Sequence, residues 1–343
     1  MRTVSLLFLL CAAAWAQNPT ASVIVDVNAN RHSIDPRIYG IAYGTTTQLS
    51  DLNVPLNRYG GNNTSRYNWQ LNADNRGQDW YFESIPEASA LPGERGDTFI
   101  STTQAGGARP MITIPMLDWV GKLGANRAKL ASFSQAKYGA QAGNDAQWFP
   151  DAGNGILKSN GQNVTGNDPN DANVANTSAF QQQWVQAIVN KWGQASLGAP
   201  RYYVLDNEHS IWHSTHRDVH PSPTSYDEVR DRTVAWGSAV KAADPSAKTL
   251  GPSVWGWTAY FWSALDWSAG GSWWNSPQDR LAHGDVPFLR WYLRQMRAHE
   301  QTTGTRILDY LDVHYYPQAS GVSLSPTSSA FAQDHLISTP RKR

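Results

Sequence analysis

Asn207 and Glu208 close a short apolar and aromatic run, Tyr202-Tyr203-Val204-Leu205-Asp206. A buried strand that ends in a carboxyl-bearing residue presents that group at the mouth of a parallel barrel. There a Glu can move a proton at a glycosidic oxygen while the adjacent Asn holds a sugar hydroxyl. This chemistry needs a second carboxylate, so the positions of the other acids matter as much as Glu208. Arg58 and Asn62 follow another apolar run and offer donors for a sugar or for that second acid. His314 and Tyr316 alternate along a third run, which directs both to one side and Tyr315 to the other. Trp69, Trp80, Trp212 and Trp255 carry rings that can stack on the C–H faces of sugars; core packing is the competing use of each.

Strands must deliver these side chains. Apolar runs that break off at polar or glycine-rich residues occur at 37–44, 55–59, 110–116, 202–208, 248–255 and 310–316. Between them, apolar residues recur at helical spacing over 180–192, 226–243 and 286–300. Strand–helix alternation predicts an α/β fold, a TIM-like (β/α)8 barrel of which about six strands are present. An earlier β-branched run at 21–27 reads as a strand of an accessory β-sandwich. The resulting division is a signal peptide at 1–16, the sandwich strand at 17–34, the incomplete barrel at 35–317 and an irregular tail at 318–343. Residues 151–177, rich in Asn, Gly and Asp, read as a long loop. The last 26 residues hold no Glu, and their sole acid is Asp334.

Lys plus Arg and Asp plus Glu number 28 each, a balance that argues against a nucleic-acid partner. No basic amphipathic run suggests a membrane partner. Sixteen Trp and fourteen Tyr exceed what a core of this size needs and point to carbohydrate contact. Arg2, the apolar segment Val4–Ala14 and the small-x-small site Ala14-Trp15-Ala16 form a signal peptide cleaved after Ala16, so the expected product is a secreted or periplasmic monomer. Cys11, the single cysteine, lies in the removed segment, which excludes thiol chemistry and disulfides.

His209, His213, His216 and His220 have helix-like spacing, but Pro221 and Pro223 break the helix and no His-Glu-x-x-His pattern forms, so zinc is the weaker reading. Asp168 and Asp171 cluster oxygen ligands in a loop and are the candidates for structural calcium; a solvated turn is the alternative. No cofactor is required.

Three stretches carry a family resemblance: residues 57–82 (NRYGGNNTSRYNWQLNADNRGQDWYF), 205–221 (LDNEHSIWHSTHRDVHP) and 311–317 (LDVHYYP). The chain resembles glycoside hydrolase family 44 from about residue 35 to 317. The resemblance implies a secreted retaining endo-β-glucanase acting on xyloglucan, carboxymethyl cellulose or mixed-linkage glucan, with Glu208 as acid/base. It also implies calcium binding. Two departures stand out. His209 occupies a position where the family has Pro. No residue here matches the family's nucleophile, a Glu on the seventh barrel strand, so the 343 residues are expected to be inactive by themselves. The competing function is a secreted carbohydrate-binding protein without catalysis.

Overall fold

The computed structural model describes residues 24, 26–29, 31–197 and 202–316. The chain divides into two units, one ending at Ile38 and one beginning at Tyr39. In the first, Ala29 N–H donates to the Asp26 carbonyl and Pro36–Ile38 forms one 3-10 turn. Ile24, Asp26 and Val27 lie in no strand, and the other residues of the expected 21–27 strand fall outside the described residues, as do the signal peptide and residues 317–343.

The second unit is built on six parallel strands: β1 (Ile41–Ala42), β2 (Leu56–Tyr59), β3 (Arg109–Ile114), β4 (Tyr202–Leu205), β5 (Lys248–Val254) and β6 (Tyr310–Val313). They pair in chain order, β1 to β6, so the sheet is a curled half-barrel. Each falls within or beside a run expected from sequence. Representative pairs are Arg58 with Met111, Tyr203 with Ile112 and Leu250 with Tyr310. All four residues of β4 are buried, as expected of a central parallel strand covered on both faces. Tyr310 and Leu311, on the outermost strand β6, are exposed.

Helices return the chain between strands: α1 (Thr46–Asp51), α2 (Glu94–Ala105), α3 (Ser178–Trp192), α4 (Tyr226–Ala243) and α5 (Phe288–Thr303). Their ends follow capping rules. Thr177 and Ser225 accept from the backbone N–H groups of Phe180 and Glu228, and Gly304 closes α5 with a φ of +74°. The inner faces of α3 and α4 place Trp184, Val185, Ile188, Trp236 and Val240 against Ile112, Ile114, Tyr203 and Leu205 in one core cluster. Burying each of these large side chains contributes about 1.5–3 kcal/mol. A second cluster joins α5 to the sheet through Phe288, Trp291, Tyr292, Val254 and Ile307.

Sequence periodicity did not signal α1, α2 or a four-stranded antiparallel sheet formed by Tyr67–Asn68, Ala73–Asn75, Glu83–Pro86 and Leu130–Ala131. Its strands are too short for alternation to register, and Asp74, Asn75, Glu83 and Ser84 are buried polar residues, the reverse of the usual pattern. The expected loop at 151–177 needs correction too. Phe149–Gly153 and Asn173–Ala175 are strands, and Pro169–Asp171 is a 3-10 turn.

Candidate active site

Strand β4 stops at Leu205, and the next three residues turn sharply. Asp206 and Glu208 both have left-handed backbones, with φ of +63° and +47°. Side chains other than glycine rarely adopt this conformation, so surrounding contacts must hold it. The buried Asp206 carboxylate supplies many of them. It accepts from Ser65 Oγ, from the N–H of Met116, from the N–H of Leu117 at 3.2 Å and from the N–H of Asn207 at 2.7 Å. On the other side, Glu208 N–H donates to the Ser253 carbonyl at 2.9 Å, and Trp212 Nε1–H donates to the Asn207 carbonyl at 2.9 Å. The ends of β3 and β5 thus pin the turn from both flanks. Burial pushes the Asp206 carboxyl up to about 6, even with these donors pulling it down.

The Glu208 carboxylate projects into a cluster of polar side chains and is 12% exposed. Oε1 lies 2.7 Å from His314 Nδ1 and 3.4 Å from Tyr316 Oη, and Oε2 lies 3.4 Å from Asn207 Nδ2. Arg58 Nη2 donates to Asn207 Oδ1 at 2.6 Å and stands 3.4 Å from His314 Nε2. Guanidinium nitrogens only donate, so His314 Nε2 faces Arg58 as an acceptor and Nδ1–H donates to Glu208. Arg58 therefore orients two groups, the Asn207 amide and the imidazole beside the acid. Gly60 makes room for it: a Cβ there would stand 2.4 Å from Arg58 Cζ.

Asn62 joins the edge of this network. Its Oδ1 lies 3.5 Å from Asn207 Nδ2, and its own Nδ2 donates to Asp79 Oδ1 at 3.2 Å. Arg58, Asn62, Asn207, Glu208, His314 and Tyr316 thus converge, although they lie on β2, β4, β6 and the loops that follow them. Asp206, Ser65 and Ser253 were missed by sequence reasoning. The signal available for Asp206 was its place directly before Asn-Glu, where a buried acid must be anchored by donors.

The four tryptophans separate. Trp80 and Trp255 are 37% and 38% exposed, so each keeps an accessible ring face. Trp212 is 1% exposed and has no free face; it acts by holding the Asn207 carbonyl. Trp69 packs on Phe180 with ring centres 5.6 Å apart, donates Nε1–H to the Phe180 carbonyl at 3.1 Å and rests against the main core. Trp212 corrects the stacking role expected of it, whereas Trp69 is half-buried. The physical reason is that aromatic loop residues near helices complete the core when a backbone carbonyl can take the indole N–H.

His209, where the family has Pro, turns away from Glu208. It is buried against Trp212 and Phe288, with Nδ1 3.3 Å from Thr224 Oγ1. Burial brings its pKa down to about 3, so His209 itself places no positive charge beside the acid. His216 is likewise buried and lowered to about 3, first by burial and then by the Arg66 charge. His220 lies 2.7 Å from Glu228, and His213 reaches Ser268. The four histidines thus face different partners, and among the described residues no group of three or more His, Cys, Asp or Glu could hold a metal ion. Asp168 caps a 3-10 turn by accepting from Asn170 N–H at 2.9 Å. Asp171 is neutralised by Lys137 at 2.6 Å and bonded by the Tyr138 hydroxyl.

Comparison with known proteins agrees with the half-barrel. A crystal structure of CelM2, a bifunctional glucanase-xylanase protein from a metagenome library, is 61% identical and superposes with a TM-score of 0.84 over 88% of this chain and 58% of that one. A Paenibacillus polymyxa xyloglucanase solved with xyloglucan is 29% identical, with a TM-score of 0.61 over 85% of this chain and 53% of that one. A beta-mannanase/endoglucanase A of Caldicellulosiruptor saccharolyticus is 28% identical over 312 residues, 87% of this chain and 21% of the relative. The chain thus spans little more than half of the solved relatives and about a fifth of that curated one. The family model for glycoside hydrolase family 44 matches residues 73–319. That match takes in β3 to β6 and the turn that carries Glu208, and the chain belongs to glycoside hydrolase family 44.

Proposed function

We propose that these 343 residues form the proton-donating half of a retaining endo-β-1,4-glucanase site, with Glu208 as acid/base and xyloglucan, carboxymethyl cellulose or mixed-linkage glucan as substrate. One observation carries the reading. The Glu208 carboxylate stands at the C-terminal end of a central barrel strand, partly open to solvent and held by His314, Tyr316 and Asn207. Asn207, oriented by Arg58, binds the sugar beside the scissile bond. Arg58 and Asn62 extend the polar floor, and Trp80 and Trp255 flank it as stacking platforms. The protein is exported, acts as a monomer and needs no cofactor.

A retaining mechanism places its two carboxyl groups about 5–5.5 Å apart, one protonating the leaving oxygen and the other attacking the sugar carbon. Among the described residues no second carboxylate bonds the side chains of Glu208, Asn207, Arg58 or His314. The reading assigns no nucleophile among the described residues, and the 343 residues by themselves are nearly inactive on glucan.

The test is a chimera in which these residues are followed by the segment that succeeds the sixth strand in the 61%-identical glucanase-xylanase. The expected result is release of reducing ends from xyloglucan by the chimera, none by the 343-residue chain, and collapse of hydrolysis on Glu208→Gln. Undiminished hydrolysis by E208Q refutes the acid/base role. Turnover by the short chain refutes the missing-nucleophile reading.

A further inference from the structure

A cavity of about 650 Å³ opens beside the Glu208 network, bordered by Asp79, Trp80, Tyr81, Asn154, His213 and Arg217 among others. Its size falls within the range of about 300–1,000 Å³ seen for small-molecule sites. Side chains link it to the acid in series: Asp79 to Asn62, Asn62 to Asn207, and Asn207 to Glu208.

Arg217 is its unusual member. Nη2 donates to the Asn154 carbonyl, and the buried Nε has no hydrogen-bond partner. The guanidinium carbon sits 4.4 Å over the Phe82 ring and 5.4 Å over Phe133. Among the described residues no carboxylate forms an ion pair with it. The adjacent Asp218 is committed to Arg66, at 2.9 and 3.0 Å, and to Ser132 at 2.6 Å. Burial lowers the Arg217 pKa, and the Asp218 charge only partly opposes this. The cation is thus half-buried on aromatic faces and lacks a counter-ion. His213, on the same wall, is also lowered by burial and is neutral. The other charge lining the cavity is Asp79, which is exposed and bonded to Asn62 at the Trp80 end. An anion is therefore drawn to the Arg217 end and repelled from the Asp79 end, while Trp80 and Tyr81 offer ring faces to a sugar.

We infer that this cavity is a subsite for a sugar bearing a carboxylate, such as a uronic acid branch on a β-1,4-linked backbone, with Arg217 recognising the carboxylate. The inference rests on the proposed reading of the Glu208 cleft and adds a substrate class to it. Arg–carboxylate pairs are frequently bidentate and about twice as strong as neutral hydrogen bonds, which makes Arg217 a determinant of specificity.

The experiment is calorimetric titration of the 343-residue chain, at low salt and neutral pH, with two β-1,4-gluco-oligosaccharides of equal length, one neutral and one carrying a glucuronic acid branch. The acidic ligand is expected to bind about ten times more tightly, in line with a charge-assisted hydrogen bond, and the difference should shrink as salt is raised. R217Q should erase the difference and R217K should keep a smaller one. D79N, at an exposed position, should widen it by removing the repelling charge. Equal binding of both ligands by the wild type overturns the inference, as does a preference that survives R217Q. If R217Q does not fold, an unchanged preference in D79N counts against it. Neutral binding without acidic preference leaves the glucan cleft standing and removes only the subsite. Failure of both ligands to bind removes the cleft reading and the subsite together.

Discussion

His209→Asn tests whether the residue next to the acid carries charge. Thr224 Oγ1 donates to the His209 carbonyl, so its lone pairs remain for the ring, and His209 Nδ1–H donates to Oγ1. The buried Nε2 has no hydrogen-bond partner and stays unprotonated. Burial accordingly holds the pKa at about 3, whereas an unfolded His titrates near about 6.5. The sign follows from linkage. Between these two values the unfolded chain binds more protons than the folded one, so stability rises with pH and is lost as pH falls. From pH 7 to about pH 4.5 this one group removes roughly 2–3 kcal/mol. Other buried groups titrate oppositely over the range: burial pushes Asp206 up to about 6 and Glu83 up to about 7. They cancel when variant and wild type are compared. An Asn amide at 209 keeps the donor to Thr224 and cannot titrate. Urea unfolding followed by Trp fluorescence at both pH values should show wild type losing roughly 2–3 kcal/mol more than H209N. Parallel losses would mean that His209 protonates inside the fold, and the claim of an uncharged neighbour for Glu208 would be wrong.

Two further substitutions separate positioning from packing. Gly60→Ala should push the Arg58 guanidinium aside at little cost in stability, because the clash is with the far end of a flexible side chain. Affinity for cello-oligosaccharides should fall about tenfold as the Asn207 amide loses its charged partner, and unchanged affinity would remove Arg58 from the site. Trp80→Ala should weaken oligosaccharide binding with a stability change under about 1 kcal/mol, whereas Trp212→Ala should cost about 3–5 kcal/mol through its cavity; a reversal of that pattern in binding and melting assays would refute the assignment of the two rings.

The strand-end position of Glu208 was legible in sequence because it depends on local order. A run buried on both faces and broken by Asp-Asn-Glu could be little other than a central parallel strand ending at a mouth, and the resemblance to family 44 identified the same Glu. The strands carrying Arg58 and His314 were also readable, since apolar runs flanked by Gly and polar residues mark them. The periodicity of α3, α4 and α5 was equally plain, with ends adjusted by caps such as Thr177 and Gly304.

The tertiary structure decided what side chains separated by more than a hundred residues do to one another. No spacing in the chain says that Arg58 meets Asn207, or that His314 presents Nδ1 to Glu208. Only the sheet order brings them together. Folding likewise buried Trp212 in the core, packed the half-buried Trp69 against it and left Trp80 and Trp255 exposed; the indole N–H groups of the first two donate to backbone carbonyls. It turned His209 away from Glu208 and left Arg217 without an ion-pair partner among the described residues. Sequence fixes which groups a strand can deliver, since that follows from backbone period and burial; their partners, charge states and exposure depend on packing between elements far apart in the chain.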